Sequence, residues 1–70
     1  MYAVTLFWRT GGSSRFSTRS DLHMIRKKIK ERSDNFILIA DKDNMDHHIN
    51  LDYLMTMQVD AIGDISKKGI

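Results

Sequence analysis

Apolar and polar residues alternate most clearly in two stretches of the chain. The first, Tyr2–Trp8, is rich in aromatic and β-branched residues and is largely apolar on both sides, which is typical of a strand. The second, residues 53–62, places Thr56, Gln58 and Asp60 on one side and mostly apolar residues on the other. This pattern predicts a second strand with one face in water.

Between these strands the apolar residues follow a helical period. Leu22, Ile25 and Ile29 recur at spacings of three and four and form a narrow apolar face, while Met24 points away from it. Turn-forming residues at 33–35 end the pattern. The spacing predicts a helix of three to four turns, which is too short to be stable alone and must dock on a sheet.

Two residues are candidates for the N-cap of this helix. Thr18, with Asp21 three residues later, fits a capping box. Ser20, directly before Asp21, is the alternative.

Three further segments complete the pattern. Phe36–Ala40 is apolar throughout, which predicts a central strand covered on both sides. Residues 41–44 predict a turn in which Asn44 takes the left-handed conformation. Residues 47–51 predict a short strand, and a tight or 3₁₀ turn at residues 51–54 leads into the last strand.

The segment at residues 13–16 is open to two interpretations, a short strand or an irregular loop. Including it, the order is β-(β)-α-β-β-β, an α+β fold with an antiparallel sheet of four to five strands and one helix packed on one face. We expect a single domain over residues 1–62 and a flexible C-terminal tail at residues 63–70.

Chain length and cysteine content limit how this fold is stabilised. Seventy residues bury a thin core, and the chain contains no Cys, so disulfides and thiolate metal sites are excluded. One helix covers one face of a sheet, and Phe7, Ile37 and Ile39 would lie on the other. We therefore predict an oligomer interface at these three residues, in a homodimer or a larger assembly.

The charges are strongly segregated along the chain. Residues 9–32 carry eight of the eleven Lys and Arg residues, and residues 33–62 carry six of the nine acidic residues. This asymmetry leaves three interpretations open: a solvated helix face, an acidic protein partner, or nucleic acid bound through its phosphates. The residues predicted to contact phosphates are Arg9, Arg15, Arg19, Lys27, Lys28 and Lys30.

A protein partner would use a different set of side chains. Trp8 could anchor it at the end of the first strand, and the exposed Met24 could supply an adaptable contact. Lys27 and Lys28 would add charge on the helix.

Metal binding and catalysis receive little support. The acidic turn begins like a calcium loop, but Met45 and Asp46 stand where a ligand and a glycine are needed. His47 and His48 are adjacent on a predicted strand, so they point to opposite faces and cannot easily hold one ion. We predict no metal, no cofactor and no enzymatic activity.

The sequence therefore predicts a small non-catalytic binding protein, such as an inhibitor, adaptor or accessory regulator, that acts as a homo-oligomer. Nucleic-acid binding through the basic helix and the preceding loop is the alternative. The chain lacks the roughly 18 consecutive apolar residues of a membrane span, so we expect no membrane partner and, by default, a cytoplasmic location. Small proteins of this kind are frequent in phages and mobile elements.

Overall fold

The structure, a computed structural model, describes residues 1–62, which form an α+β fold. In chain order the elements are β1 (Tyr2–Trp8), β2 (Ser13–Thr18), α1 (Leu22–Glu31), β3 (Phe36–Ala40), β4 (Asp46–Asn50), a 3₁₀ turn (Leu51–Tyr53) and β5 (Leu54–Ala61). The strand interpretation of residues 13–16 is confirmed. The tail predicted at residues 63–70 lies outside the described residues, and the domain boundary at residue 62 stays a prediction.

The strands form two antiparallel sheets rather than the single sheet predicted. In the three-stranded sheet β1 lies between β2 and β5, and the two-stranded sheet pairs β3 with β4. β2 and β3 belong to different sheets and form no ladder with each other. They approach each other at a corner, where β2 ends and β3 leads into its turn. There the Lys42 amide donates to the Ser17 carbonyl at 2.8 Å.

The same corner contains a buried hydroxyl. Thr18 is completely buried, and its Oγ1 donates to the Ala40 carbonyl at 2.7 Å and accepts from the Ser20 amide at 3.2 Å. The predictions of Thr18 or Ser20 as the helix cap are wrong. The N-cap is Asp21, whose Oδ1 accepts from the Met24 amide at 2.9 Å, because Thr18 is already engaged in joining the sheets.

Both sheets and α1 share one hydrophobic core. Its buried members are Val4, Leu6, Ile25, Ile37, Ile39 and Ile49. From α1 only Ile25 is fully buried, whereas Leu22, predicted on the same face, is 41% exposed. The helix therefore packs against the core through fewer side chains than its apolar spacing predicts, and most of its surface is exposed to solvent.

The predicted oligomer interface is wrong at two of its three residues. Ile37 and Ile39 are 5% and 0% exposed within a single chain, because they face the core that both sheets enclose. Phe7 is half-buried on the other side of β1. The prediction that β3 is covered on both sides is also wrong, since Phe36 and Leu38 are exposed. The exposed apolar side chains of β3 are therefore Phe36 and Leu38, whereas the sequence predicted that Ile37 and Ile39 would need a partner to cover them.

The turns predicted at residues 41–44 and 51–54 are confirmed. Asn44 has φ 62° in the turn between β3 and β4. The 3₁₀ turn is present, with the Asn50 side chain accepting from the Asp52 amide at 3.0 Å. Gly11 and Gly12, with φ 94° and 79°, form the β1–β2 turn, where residues with side chains would be strained.

We expect Thr18→Val to lower the free energy of unfolding by about 1–3 kcal/mol, because it keeps the shape of the side chain but leaves the Ala40 carbonyl and the Ser20 amide without their partner. Urea denaturation measures this. Thr56→Val, at an exposed position of β5, is the matched control and should change stability by less than about 0.5 kcal/mol. Equal losses in the free energy of unfolding for Thr18→Val and Thr56→Val would contradict a stabilising role of the Thr18 hydroxyl.

Candidate binding surfaces

The side of α1 that faces away from the core is basic. Because Ile25 fixes the buried side and each residue turns the helix by about 100°, Glu31 faces outward together with four residues that have basic or imidazole side chains. These four are His23, Arg26, Lys27 and Lys30, called the basic face below. Together with Glu31 they line a shallow groove of about 370 Å³.

The cationic side chains of the basic face form no ion pairs within residues 1–62. Within residues 1–62 the only ion pair is Asp41–His47, so Arg26, Lys27 and Lys30 have no acidic partner there. Glu31 lines the same groove but forms no ion pair with them in this part of the chain. The face is therefore open to an anionic group of another molecule.

Two exposed apolar side chains border the basic face. Leu22 is 41% exposed and Met24 is 49% exposed, and the helical step places them on opposite sides of the basic residues. The outward orientation predicted for Met24 is confirmed. The basic face of α1 thus has an exposed apolar residue at each margin, Leu22 on one side and Met24 on the other.

A second groove lies between the end of α1 and β3. Its volume is about 380 Å³. The lining residues are Lys28, Glu31, Arg32, Ser33, Asp34, Phe36, Ile37 and Leu38. Lys28 therefore belongs to this second groove and not to the basic face. The Arg32 guanidinium also donates to the Ile29 carbonyl at 2.6 Å, which satisfies a free carbonyl at the helix end.

The other basic residues predicted to contact phosphates lie on separate elements. Arg9 follows β1, and its amide donates to the Tyr53 carbonyl at 2.8 Å. Arg15 is exposed on β2 opposite Thr5. Arg19 lies between β2 and α1. Of the predicted set, only Lys27 and Lys30 share the basic face.

Trp8, predicted as a partner anchor, has contacts within its own chain. It is half-buried and packs against the core. Its indole Nε1 donates to Ser14 Oγ at 3.0 Å. Since both its apolar ring and its donor have partners, Trp8 serves the β1–β2 hairpin.

Sequence interpretation missed two members of the basic face. His23 and Arg26 precede Lys30 by seven and four residues, the spacing that brings side chains to one side of a helix. Applying the helical period to the polar residues, and not only to the apolar ones, would have found them.

A compact cluster surrounds Asp41 at the turn between β3 and β4. Its Oδ1 accepts from the amides of Asp43 at 2.8 Å and Met45 at 3.0 Å, and His47 Nε2 lies 2.9 Å from Oδ2. The hydrogen bond from His47, followed by that from Met45, holds the pKa of the Asp41 carboxyl below its ordinary value of 3.8. Since an ionised carboxylate only accepts, Nε2 carries the proton.

The two adjacent histidines point to opposite sides of their sheet, as predicted. His47 stacks on Phe16 with ring centroids 4.0 Å apart, and His48 contacts Phe36 at 4.1 Å. Among residues 1–62, no three potential metal-ligating side chains come together. The Asp41 carboxylate has protein donors on both of its oxygens, so the cluster stabilises the turn.

We expect Asp41→Asn to lower the melting temperature at pH 7 and to have less effect in acid. A carboxyl whose pKa is lowered by folding contributes stability above its unfolded pKa of about 3.9, and this contribution is lost as the pH falls through the folded value. Thermal melts of both proteins between pH 7 and pH 2 test this. Asp43→Asn, in the same turn, is the control, because the Asp43 side chain makes no hydrogen bond within residues 1–62. If the melting temperature of Asp41→Asn lies below that of the wild type by the same amount at every pH, the ionised Asp41 carboxylate does not stabilise the turn in this way.

Comparison with protein-family models, curated proteins and solved structures finds no match to this chain. Among residues 1–62, no helix has the length and apolar character needed to cross a membrane.

Proposed function

We propose that the protein is a non-catalytic binding protein that docks on an acidic surface of another protein through the basic face of α1. The observation that carries this proposal is the presence of Arg26, Lys27 and Lys30 on one side of a short helix, with no ion-pair partner within residues 1–62. A partner with opposite charge would be attracted over a distance of roughly 8–10 Å at physiological salt.

The margins of the basic face favour a protein partner. Leu22 and Met24 are both substantially exposed, and apolar contacts of this kind stabilise protein interfaces. Methionine in particular adapts to different partner surfaces. A phosphate backbone offers no comparable apolar surface to these two side chains.

A non-catalytic role is consistent with the chemistry of the groove along α1. Its lining residues are His23, Arg26, Lys27, Lys30 and Glu31. Of these side chains the His23 imidazole is the one suited to act as a general base, and no hydroxyl or thiol accompanies it among the described residues that line this groove. Binding by charge and by apolar contact is what this set of side chains can do.

We expect Lys27→Glu to reduce capture of the partner about tenfold or more, because reversing a charge at a complementary interface replaces attraction with repulsion. The measurement is affinity capture from host-cell extract with quantitative mass spectrometry. Lys42→Glu, which makes the same charge change in the exposed β3–β4 turn, is the control. Met24→Ala should also weaken capture. If Lys27→Glu and Lys42→Glu retain the same proteins in the same amounts, the proposal fails.

Nucleic acid is the second candidate, because the cationic side chains of the basic face are suited to contact phosphates. If it is the partner, affinity for any duplex should fall steeply with salt, and Lys27→Ala combined with Lys30→Ala should reduce the slope of log K against log salt by about 2. Gel-shift titrations from 25 to 200 mM salt give the answer, with Lys28→Ala as a control outside the basic face. Absence of any shift at the lowest salt would exclude this candidate.

A further inference from the structure

Within the described part of the chain, the edge of β3 that faces away from β4 has unpaired backbone groups. Antiparallel pairs alternate between residues that exchange hydrogen bonds and residues whose amides and carbonyls point away from the partner strand. Two hydrogen bonds fix this alternation here: Asp41 N–H to Met45 C=O at 2.9 Å and Leu51 N–H to Asn35 C=O at 2.7 Å. Ile37 and Ile39 therefore bond to β4, and the amides and carbonyls of Phe36 and Leu38 point outward.

Within residues 1–62 nothing pairs with this edge at Phe36 and Leu38. Their amides and carbonyls make no hydrogen bond to another described element, and both residues line the open groove beside α1. At Ala40 the edge is closed, because its carbonyl accepts from Thr18. The free part of the edge is therefore short, extending from Phe36 to Leu38.

We propose that this edge pairs with the β3 edge of a second copy of the chain, antiparallel and about a two-fold axis at Ile37. In this register Phe36 of each copy lies opposite Leu38 of the other, and the two pairs form four backbone hydrogen bonds. The register leaves Ala40 and its bond to Thr18 undisturbed. The result is a four-stranded sheet with the order β4-β3-β3-β4.

The exposed side chains of β3 fit this arrangement. Phe36 and Leu38 are 36% and 43% exposed on the same face of the strand. Placed opposite each other across the new ladder, an aromatic and an aliphatic side chain form a favourable cross-strand pair. Each copy would therefore cover the apolar residues that the other leaves in solvent.

The charges at the groove favour a second copy over a strongly charged ligand. The rim contains two basic residues, Lys28 and Arg32, and two acidic residues, Glu31 and Asp34. An acidic or basic peptide would meet as much repulsion as attraction there, whereas two balanced rims related by a two-fold axis can be complementary. The basic face of α1 lies outside this groove, so the inference is independent of the proposed function.

The test is sedimentation equilibrium from about 5 μM to about 1 mM, since an interface this short should be weak. We expect the mass to rise from 8.1 kDa toward twice that value. Leu38→Lys should keep the protein monomeric, because a charge on an edge strand opposes pairing. Met55→Lys is the matched control, since Met55 is an exposed apolar residue of β5 in the other sheet, and it should associate like the wild type.

Three results would overturn the inference: a mass of 8.1 kDa at every concentration, a dimer that Leu38→Lys leaves intact, or a dimer that Met55→Lys disrupts as strongly as Leu38→Lys. Amide exchange of the wild type provides a test that needs no variant. The Leu38 amide should exchange quickly at low concentration and become protected as concentration rises. Protection of this amide that does not depend on concentration would show that the edge is covered in another way and would also overturn the inference.

Discussion

The structure depends on a single small core that two sheets must share. Val4 and Leu6 come from the three-stranded sheet, Ile37, Ile39 and Ile49 from the two-stranded sheet, and Ile25 from α1. Neither sheet has enough apolar surface to form a stable unit alone. Sharing the core requires a fixed junction between the sheets, and the buried Thr18 hydroxyl supplies it by joining the end of β2 to the end of β3. Because the sheets enclose most of this core between them, α1 contributes only one fully buried residue, and most of its remaining surface is exposed among residues 1–62.

The spacing of apolar residues and the positions of turn-forming residues were enough to predict most of the helix and strands, because both are properties of residues close together in the sequence. Alternation identified β1 and β5, and Asn44 was correctly assigned its positive φ. The division into two sheets could not be predicted in the same way. Phe36–Ala40 is apolar at every position, so its sequence conceals the alternation of buried and exposed residues that the structure shows. Which face is buried depends on the other sheet, through contacts distant in sequence.

The basic residues illustrate why clustering in sequence is not clustering in space. Along β2 successive side chains alternate between faces, and along α1 they are distributed around the helix. Arg15 is therefore directed away from the core on the three-stranded sheet, Lys28 belongs to the groove beside β3, and Lys27 belongs to the basic face. The charge asymmetry located the basic residues in one part of the sequence, but it did not show which of them share one face of the helix. His23 and Arg26 complete the basic face because of helical spacing alone.

Because both sheets and the helix share one core, we expect them to unfold as one cooperative unit within a single chain. Native-state hydrogen exchange tests it directly, by comparing the Leu6 amide in β1 with the Ile39 amide in β3 at low protein concentration. If the sheets share one core, both amides exchange through the same global opening and report the same free energy. An Ile39 amide that opens at a free energy more than about 2 kcal/mol below that of Leu6 would show that the β3–β4 sheet separates independently, and would contradict the account.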